Sequence, residues 1–304
     1  MTMDDRLEVG FKDVSIAVPA FNEAPALAKV LTGLQAACSD AEVIVINDGS
    51  TDDTGAIAKA HADRVITHKR NLGYGASWKT ALRHASREII VFFDGDDQFD
   101  PVDVARAVAT MRETDADMVV GQRGADSHGS RRRKPGKAII RMVASYLSGE
   151  RINDPNCGLR CVKRKLLLGY ADLLPDGFSA STTSLILMLK RGYLVEYLPL
   201  TVRKRIGTSS VRQIRDGLGV LVLITRLVAL FAPLRIFLPV SVGLGVAGVL
   251  YSVVEALVTG RGVPVLGATL IIGSILSYLL GVVSDQISAL RLSQFRPENT
   301  ELID

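Results

Sequence analysis

The stretch Glu88-Ile89-Ile90-Val91-Phe92-Phe93-Asp94-Gly95-Asp96-Asp97-Gln98 is an apolar run that ends in carboxylates. A short continuous apolar run bounded by turn residues reads as a strand buried on both faces. The flanking sequence supports this. Upstream, Val14–Val18 is a β-branched run ended by Pro19, and Ala24–Ala37 carries Leu27, Val30, Leu31 and Leu34 at helical spacing. Glu42–Ile46 reads as a second strand. Thr54–Ala62 reads as a helix capped by Ser50-Thr51-Asp52-Asp53. Arg64–Thr67 is a third strand, and Tyr74–Ala85 a helix. Downstream, Pro101–Arg112 is a helix with proline in its first turn, and Met118–Gly121 a fifth strand. Strands alternating with helices at this pitch predict an α/β fold with a mostly parallel sheet covered on both faces. Ligands of such sheets bind beyond the carboxyl ends of the strands. Pro19–Glu23, Asn47–Asp53, Asp94–Asp100 and Gln122–Arg123 all fall there.

The residue types at those ends point to phosphate chemistry. Asp94, Asp96 and Asp97, with Gln98 beside them, would repel one another without a cation, and hard oxygen ligands suit Mg²⁺ or Mn²⁺ shared with a substrate phosphate. A solvated acidic turn favouring the next helix dipole is the competing reading. Asp48-Gly49-Ser50-Thr51 places a carboxylate in a glycine turn, which is also ordinary turn chemistry. Asn71-Leu72-Gly73-Tyr74-Gly75 opens a helix with two glycines, so backbone can approach a ligand there. A plain helix start would look the same. There is no Gly-x-x-x-x-Gly-Lys-Ser/Thr, and no Gly-x-Gly-x-x-Gly follows the first strand, which counts against nucleotide-triphosphate loops and dinucleotide folds. The three cysteines are too few and too odd for a disulfide framework. Cys157 and Cys161 have the spacing of one helix face. The four histidines, including His68, are scattered, and surface or core roles account for them.

Charge and hydropathy divide the 304 residues into three parts. Residues 1–122 carry 12 Lys/Arg against 20 Asp/Glu, a net of −8. Residues 123–235 carry 21 against 7, a net of +14, and residues 236–304 carry 3 against 5. The mean hydropathy of +0.25 is high for a soluble globule. Ile236–Leu257 and Val263–Ser284 are each 22 residues long, and the only charge in them is Glu255. A bilayer core needs about 20 apolar residues in a helix, so a transmembrane hairpin turning at Val258–Gly262 is expected. Buried helices of a soluble core are the alternative. Lys/Arg residues flank the outer ends while only Arg261 lies in the turn, so both termini are expected in the cytoplasm. Met1–Lys12 lacks the apolar core of a signal peptide. Residues 209–235 have an apolar stripe with Arg212, Arg215 and Arg226 off it, the pattern of interfacial helices. Core packing is the competing explanation. Arg123, Arg131, Arg132, Arg133 and Lys134 form a basic loop suited to phosphate, because an arginine fork binds two oxygens at once. A solvated loop flanking the membrane is the alternative. No aromatics interleave with these charges, so nucleic acid is not the expected partner.

Val18-Pro19-Ala20-Phe21-Asn22-Glu23, Asn47-Asp48-Gly49-Ser50-Thr51-Asp52, Asn71-Leu72-Gly73 and Asp94-Gly95-Asp96-Asp97-Gln98, in this order and spacing, resemble the family 2 glycosyltransferases. More narrowly they resemble the polyprenyl-phosphate sugar transferases, such as dolichyl-phosphate mannose synthase and undecaprenyl-phosphate glucosyltransferases. The likeness continues through Gly121-Gln122-Arg123, Asp154–Arg160 and Arg205–Ser209 into the two apolar runs. The resemblance implies a GT-A nucleotide-sugar-binding domain over 1–208, juxtamembrane helices over 209–235, two transmembrane helices over 236–288 and a cytoplasmic tail over 289–304. It implies inverting transfer of a hexose from a UDP-sugar, UDP-glucose first, to a polyprenyl phosphate. GDP-mannose is the alternative donor. It places the nucleotide sugar on Pro19, Ala20, Phe21, Glu23, Asp48, Gly73, Asp94 and Gly95. The metal, Mg²⁺ or Mn²⁺, falls on Asp94, Asp96 and Gln98, and the acceptor phosphate on Arg123, Arg131, Arg132 and Arg205. Asp94, Asp96, Arg123 and Arg131 are the expected catalytic groups. A phosphate monoester is already an anion at pH 7, so no catalytic base is assigned. The resemblance alone makes Asp154 and Arg160 acceptor-side candidates; otherwise they are a structural turn and a surface charge. It further implies a homo-oligomer, often a tetramer, in the cytoplasmic membrane. Asn47, where the family usually has aspartate, and the extra acid Asp97 depart from the pattern. Two spans are too few for the polymer channel of a processive synthase, and intact carboxylate and nucleotide motifs disfavour a non-catalytic membrane scaffold.

Overall fold

A computed structural model describes residues 10–124, 141–146, 149, 152, 154–177, 179–203, 225, 227–228, 230–260 and 262–294. Seven strands form one sheet: β1 (Val14–Ala20), β2 (Glu42–Asn47), β3 (Arg64–Thr67), β4 (Ile89–Phe92), β5 (Met118–Arg123), β6 (Arg160–Lys163) and β7 (Val195–Leu200). Their order is β3-β2-β1-β4-β6-β5-β7. β1 is parallel to β2 and β4, β2 to β3, and β5 to β7. β6 runs antiparallel between β4 and β5. The first four strands give the expected parallel half.

The helices α1 (Ala24–Ala37), α2 (Thr54–His61), α3 (Tyr74–His84), α4 (Val102–Thr114), α5 (Arg164–Leu168) and α6 (Ala180–Lys190) belong to the same unit. All seven residues of β1 are buried, as a strand covered on both faces requires. On one face Ile16, Val18, Val91 and Phe93 pack with Leu27, Leu31 and Val104. On the other, Phe92 stacks on Trp78 of α3 with ring centroids 3.8 Å apart.

Three local expectations are corrected. Pro19 does not end β1, which continues to Ala20 and pairs Pro19 with Ile46. Ala17 bonds toward β4 and Ala20 toward β2, so the Pro19 nitrogen faces the β4 side. The β4 ladder has already ended there at Ala17–Phe92, so no donor is missed. Cys157 and Cys161 share no helix face: Cys161 is in β6 and Cys157 in the loop before it, both buried free thiols. Arg160 is no surface charge, being completely buried.

A second compact unit holds α7 (Leu234–Thr259) and α8 (Val265–Ser293). Both are long and apolar enough to cross a bilayer. α7 includes the first expected span; α8 starts two residues after the expected start of the second, at Val265, and runs on into the segment expected to be tail. The chain leaves α7 at Gly260, whose φ of 65° is the left-handed conformation glycine adopts freely. Buried Ser241, Gly248 and Ser252 of α7 and Gly267, Gly281 and Ser288 of α8 let the backbones come close. Ser241 Oγ donates to the Ser274 carbonyl at 2.9 Å, and Ser274 Oγ donates to the Ser241 carbonyl at 2.7 Å. Large apolar side chains such as Leu250, Leu257, Leu266 and Leu280 point outward. Most of the interfacial helices expected over 209–235 lie outside the described residues.

Candidate active site

The loops after β1 and β2 are laced together. Asn22, at φ 54°, accepts from the Thr51 amide through Oδ1, and its own amide donates to Ser50 Oγ. The amide of buried Glu23 donates to Thr54 Oγ1 at 2.9 Å. Asn47 Oδ1 accepts from the Ser50 amide at 3.0 Å, so the departure at position 47 serves the turn. Pro19 and Ala20 close β1, and Phe21 and Glu23 follow in this laced loop. Gly95 packs against the end of β1: an added Cβ would lie 3.6 Å from the Pro19 carbonyl.

Asp48 is bound by its own chain. Its Oδ1 accepts from the Leu72 amide at 2.9 Å, and its Oδ2 from the Gly73 amide at 2.8 Å. His68 Nδ1 lies 2.6 Å from Oδ1, and His68 Nε2 lies 2.9 Å from Thr80 Oγ1. A carboxylate is an acceptor only, so Nδ1 carries the proton toward it. His68, read from sequence as a bystander, therefore helps Asp48 fix the Asn71–Gly73 turn. The two glycines of that turn have a packing reason that sequence did not supply. A Cβ on Gly75 would stand 1.9 Å from the Pro175 carbonyl, and one on Gly73 2.5 Å from the Asp176 carbonyl. The Asp176 carbonyl accepts from the Gly75 and Ala76 amides, so the first turn of α3 is capped from within the chain.

At the end of β4 the three acids separate. Asp94 Oδ1 accepts from Tyr74 Oη at 2.7 Å. Burial, then the Asp94 charge and this bond, holds the Tyr74 pKa well above its ordinary value, so the hydroxyl stays a donor. Buried Asp96 accepts from the Gln98 amide at 3.2 Å. Asp97, at φ 59°, turns away to an ion pair with Lys29. Among the described residues no three His, Cys, Asp or Glu side chains group to hold a metal. The donors expected from sequence, Asp94 and Asp96 with Gln98 beside them, offer two carboxylates. Magnesium-type cations commonly take one or two carboxylates, with water and substrate phosphate completing the shell. The residues fit a cation of that kind and not an all-protein cage.

Arg123 ends β5 and meets Asp154 in a two-point ion pair, Nε to Oδ2 at 2.5 Å and Nη2 to Oδ1 at 2.7 Å. Burial alone would lower its pKa; the Asp154 hydrogen bonds and charge outweigh that and raise it, with a contribution from Asp94. Asp154 opens a loop held from below by Arg160, which donates to the carbonyls of Pro155 at 2.8 Å and Cys157 at 3.3 Å. Burial pulls the Arg160 pKa down to about 10, which leaves it a cation at pH 7. Thr182 Oγ1 holds the same loop at Asn156 Oδ1. The loop ends at Gly158, against the Asp94 carboxylate: an added Cβ would lie 2.1 Å from Oδ2. Arg131, Arg132 and Arg205 lie outside the described residues.

Sequence reasoning missed Tyr74, Gly158, His68, Asp176 and the buried role of Arg160. Tyr74 had a signal, following Gly73 directly in a quoted motif. Gly158 had one too, lying within the Asp154–Arg160 stretch of the resemblance, whereas Asp176 had none, because its contacts are with residues about 100 positions away in sequence.

A mostly parallel sheet with loops and carboxylates gathered at the carboxyl ends of its strands is the α/β frame on which a ligand site is built. The chain belongs to the glycosyl transferase family 2, whose pattern matches residues 15–168. Residues 232–290 match a second pattern, the GtrB C-terminal hairpin. The chain is similar to a dolichyl-phosphate hexose transferase of Haloferax volcanii, 28% identical over 216 residues, covering 70% of this chain and 92% of that one. It is also similar to an undecaprenyl-phosphate 4-deoxy-4-formamido-L-arabinose transferase of Pseudomonas savastanoi, 27% identical over 194 residues, covering 58% of this chain and 57% of that one. Among solved structures, glucosyl-3-phosphoglycerate synthase of Mycobacterium tuberculosis, in complex with Mn²⁺, uridine diphosphate and phosphoglyceric acid, superposes with a TM-score of 0.58. It is 23% identical, with 71% of this chain and 77% of that one covered, and shows the fold.

Proposed function

We propose that the protein transfers a hexose from a nucleoside diphosphate sugar, a UDP-sugar first, to a polyprenyl phosphate at the cytoplasmic face of a membrane. The observation that carries this reading is the presence, in one chain, of a GT-A fold and two long apolar helices. The names of the two relatives, each acting from or on a polyprenyl phosphate, support the acceptor. The uridine diphosphate and Mn²⁺ of the solved relative support the donor and the cation. The helices would anchor the catalytic domain where a lipid acceptor is found, with both termini in the cytoplasm. A homo-oligomer is part of the same proposal.

The acceptor phosphate oxygen would attack the anomeric carbon as the bond to the nucleoside diphosphate breaks, inverting the configuration. The acceptor brings its own negative charge, so no protein base is required. Asp94 and Asp96 would hold the divalent cation, which neutralises charge on the departing diphosphate. Asp154 occupies the Nε–Nη2 edge of Arg123, and the Nη1 end of the fork would meet the phosphate. Arg131, Arg132 and Arg205 would add charge on the acceptor side. Pro19, Ala20, Phe21, Glu23 and the turn held by Asp48 would border the nucleotide.

A panel of labelled UDP- and GDP-sugars with a short polyprenyl phosphate tests the reading. Organic-phase label is expected from one UDP-hexose with Mg²⁺ or Mn²⁺, and its loss in Asp96→Ala. Transfer by Asp96→Ala at the wild-type rate would remove the metal assignment, and label from a GDP-sugar alone would change the donor.

A further inference from the structure

We propose that Tyr74 is a positioning residue for Asp94: a tyrosine hydroxyl fixed by a wall of packed rings aims the carboxylate that receives the divalent cation of the donor site. The inference rests on the functional reading given above. Tyr74 Oη donates to Asp94 Oδ1 at 2.7 Å. The ring that carries this hydroxyl has little freedom. Its centroid is 5.6 Å from that of Trp78, one turn further along α3. Trp78 is fully buried and stacks on Phe92 at 3.8 Å with the ring planes 8° apart. Phe92 is the last residue of β4, two positions before Asp94. The Arg160 guanidinium lies 6.0 Å from the Trp78 ring and so closes the wall. The backbone beneath Tyr74 is fixed too, because the adjacent Gly73 amide donates to Asp48. The Asp94 carboxylate also lies against Gly158, where an added Cβ would stand 2.1 Å from Oδ2. Donor and strand end are thus parts of one packed block. A carboxylate held in this way keeps one orientation, which is what outer hydrogen bonds do for metal ligands generally.

Tyr74→Phe removes the donor and keeps the ring. Trp78 is the sole tryptophan of the chain, so its fluorescence reports directly on this block. The full-length protein in detergent is titrated with Mn²⁺ in the presence of uridine diphosphate, following quenching of Trp78. Tyr74→Phe is expected to raise the half-saturating Mn²⁺ concentration about 10-fold, the size typical of a lost outer-shell bond, with its melting temperature within about 2 °C of wild type. An unchanged half-saturation overturns the proposal. So does a large fall in melting temperature with no change in Mn²⁺ half-saturation, which is the mark of a purely structural tyrosine. If the wild type itself shows no Mn²⁺-dependent quenching, the cation reading falls and this inference with it. Normal wild-type quenching matched by Tyr74→Phe overturns the inference alone.

Discussion

Replacing Gly158 by alanine perturbs the site at one atom. The new Cβ would stand 2.1 Å from Asp94 Oδ2, 2.7 Å from Cγ and 2.9 Å from Oδ1, where ordinary contact begins at 3.4 Å. The carboxylate must retreat by about the difference between 3.4 and 2.1, or 1.3 Å. It cannot do so freely, because Tyr74 holds Oδ1 from elsewhere. A misplacement of about 1 Å in a reacting constellation costs about 100-fold in rate, equal to about 2.7 kcal/mol of transition-state stabilisation. The fold should suffer little. Gly158 has no positive φ, so alanine brings no backbone strain, and it narrows the unfolded ensemble slightly. The assay is kcat/KM for transfer of labelled hexose to a short polyprenyl phosphate, alongside a thermal melt. A 100-fold loss with a melting temperature near wild type is expected. Activity within about threefold of wild type, or a collapse of the melt by itself, would refute the reasoning that Gly158 seats Asp94.

Asp97→Asn should leave transfer within about threefold of wild type, because its side chain faces Lys29; Asp94→Asn and Asp96→Asn should each lose at least 100-fold in the same assay. The buried thiols of Cys38 and Cys157 are pushed up to about 12 by desolvation, and that of Cys161 is raised as well. Native protein at pH 8 should therefore give no fast reaction with a disulfide reagent, and three thiols after denaturation. Burial tends to raise the pKa of Glu42, but bonds from Ser15 and Ser86 outweigh it and lower it. A lowered carboxylate pKa stabilises the fold above its unfolded value of about 4.3 and loses that contribution as pH falls through the folded value. Glu42→Gln should thus be less stable than wild type at pH 7, by on the order of 1 kcal/mol, and the gap between their melting temperatures should shrink below pH 4.

The parallel half of the sheet was legible because its strands are continuous apolar runs and its helices carry strong stripes. α1 and β3 have the expected bounds to the residue. β6 was not legible: Arg160-Cys161-Val162-Lys163 is four residues with charges at both ends, and only burial of Arg160 against the 154–158 loop makes sense of it. β7 carries Pro199 and Glu196 and pairs on one side only, so its pattern is weak. In the site, the residues expected to meet ligands announced themselves as carboxylates and glycines at strand ends. The groups that hold them did not, because a tyrosine, a histidine or a missing side chain becomes informative only once the tertiary neighbour is known. Asp97 shows the reverse error. Beside Asp94 and Asp96 it looked like a third acid of one cluster, and a single left-handed φ sends it elsewhere.

The most direct measurement is mass spectrometry of the lipid product. The purified full-length protein is given a UDP-hexose, Mn²⁺ and a short polyprenyl phosphate, and both the lipid and the uridine diphosphate are quantified. The account predicts a lipid heavier by one hexose residue, with one uridine diphosphate released per lipid converted. Uridine diphosphate released with the lipid unchanged, or hexose found on any other acceptor, would contradict it.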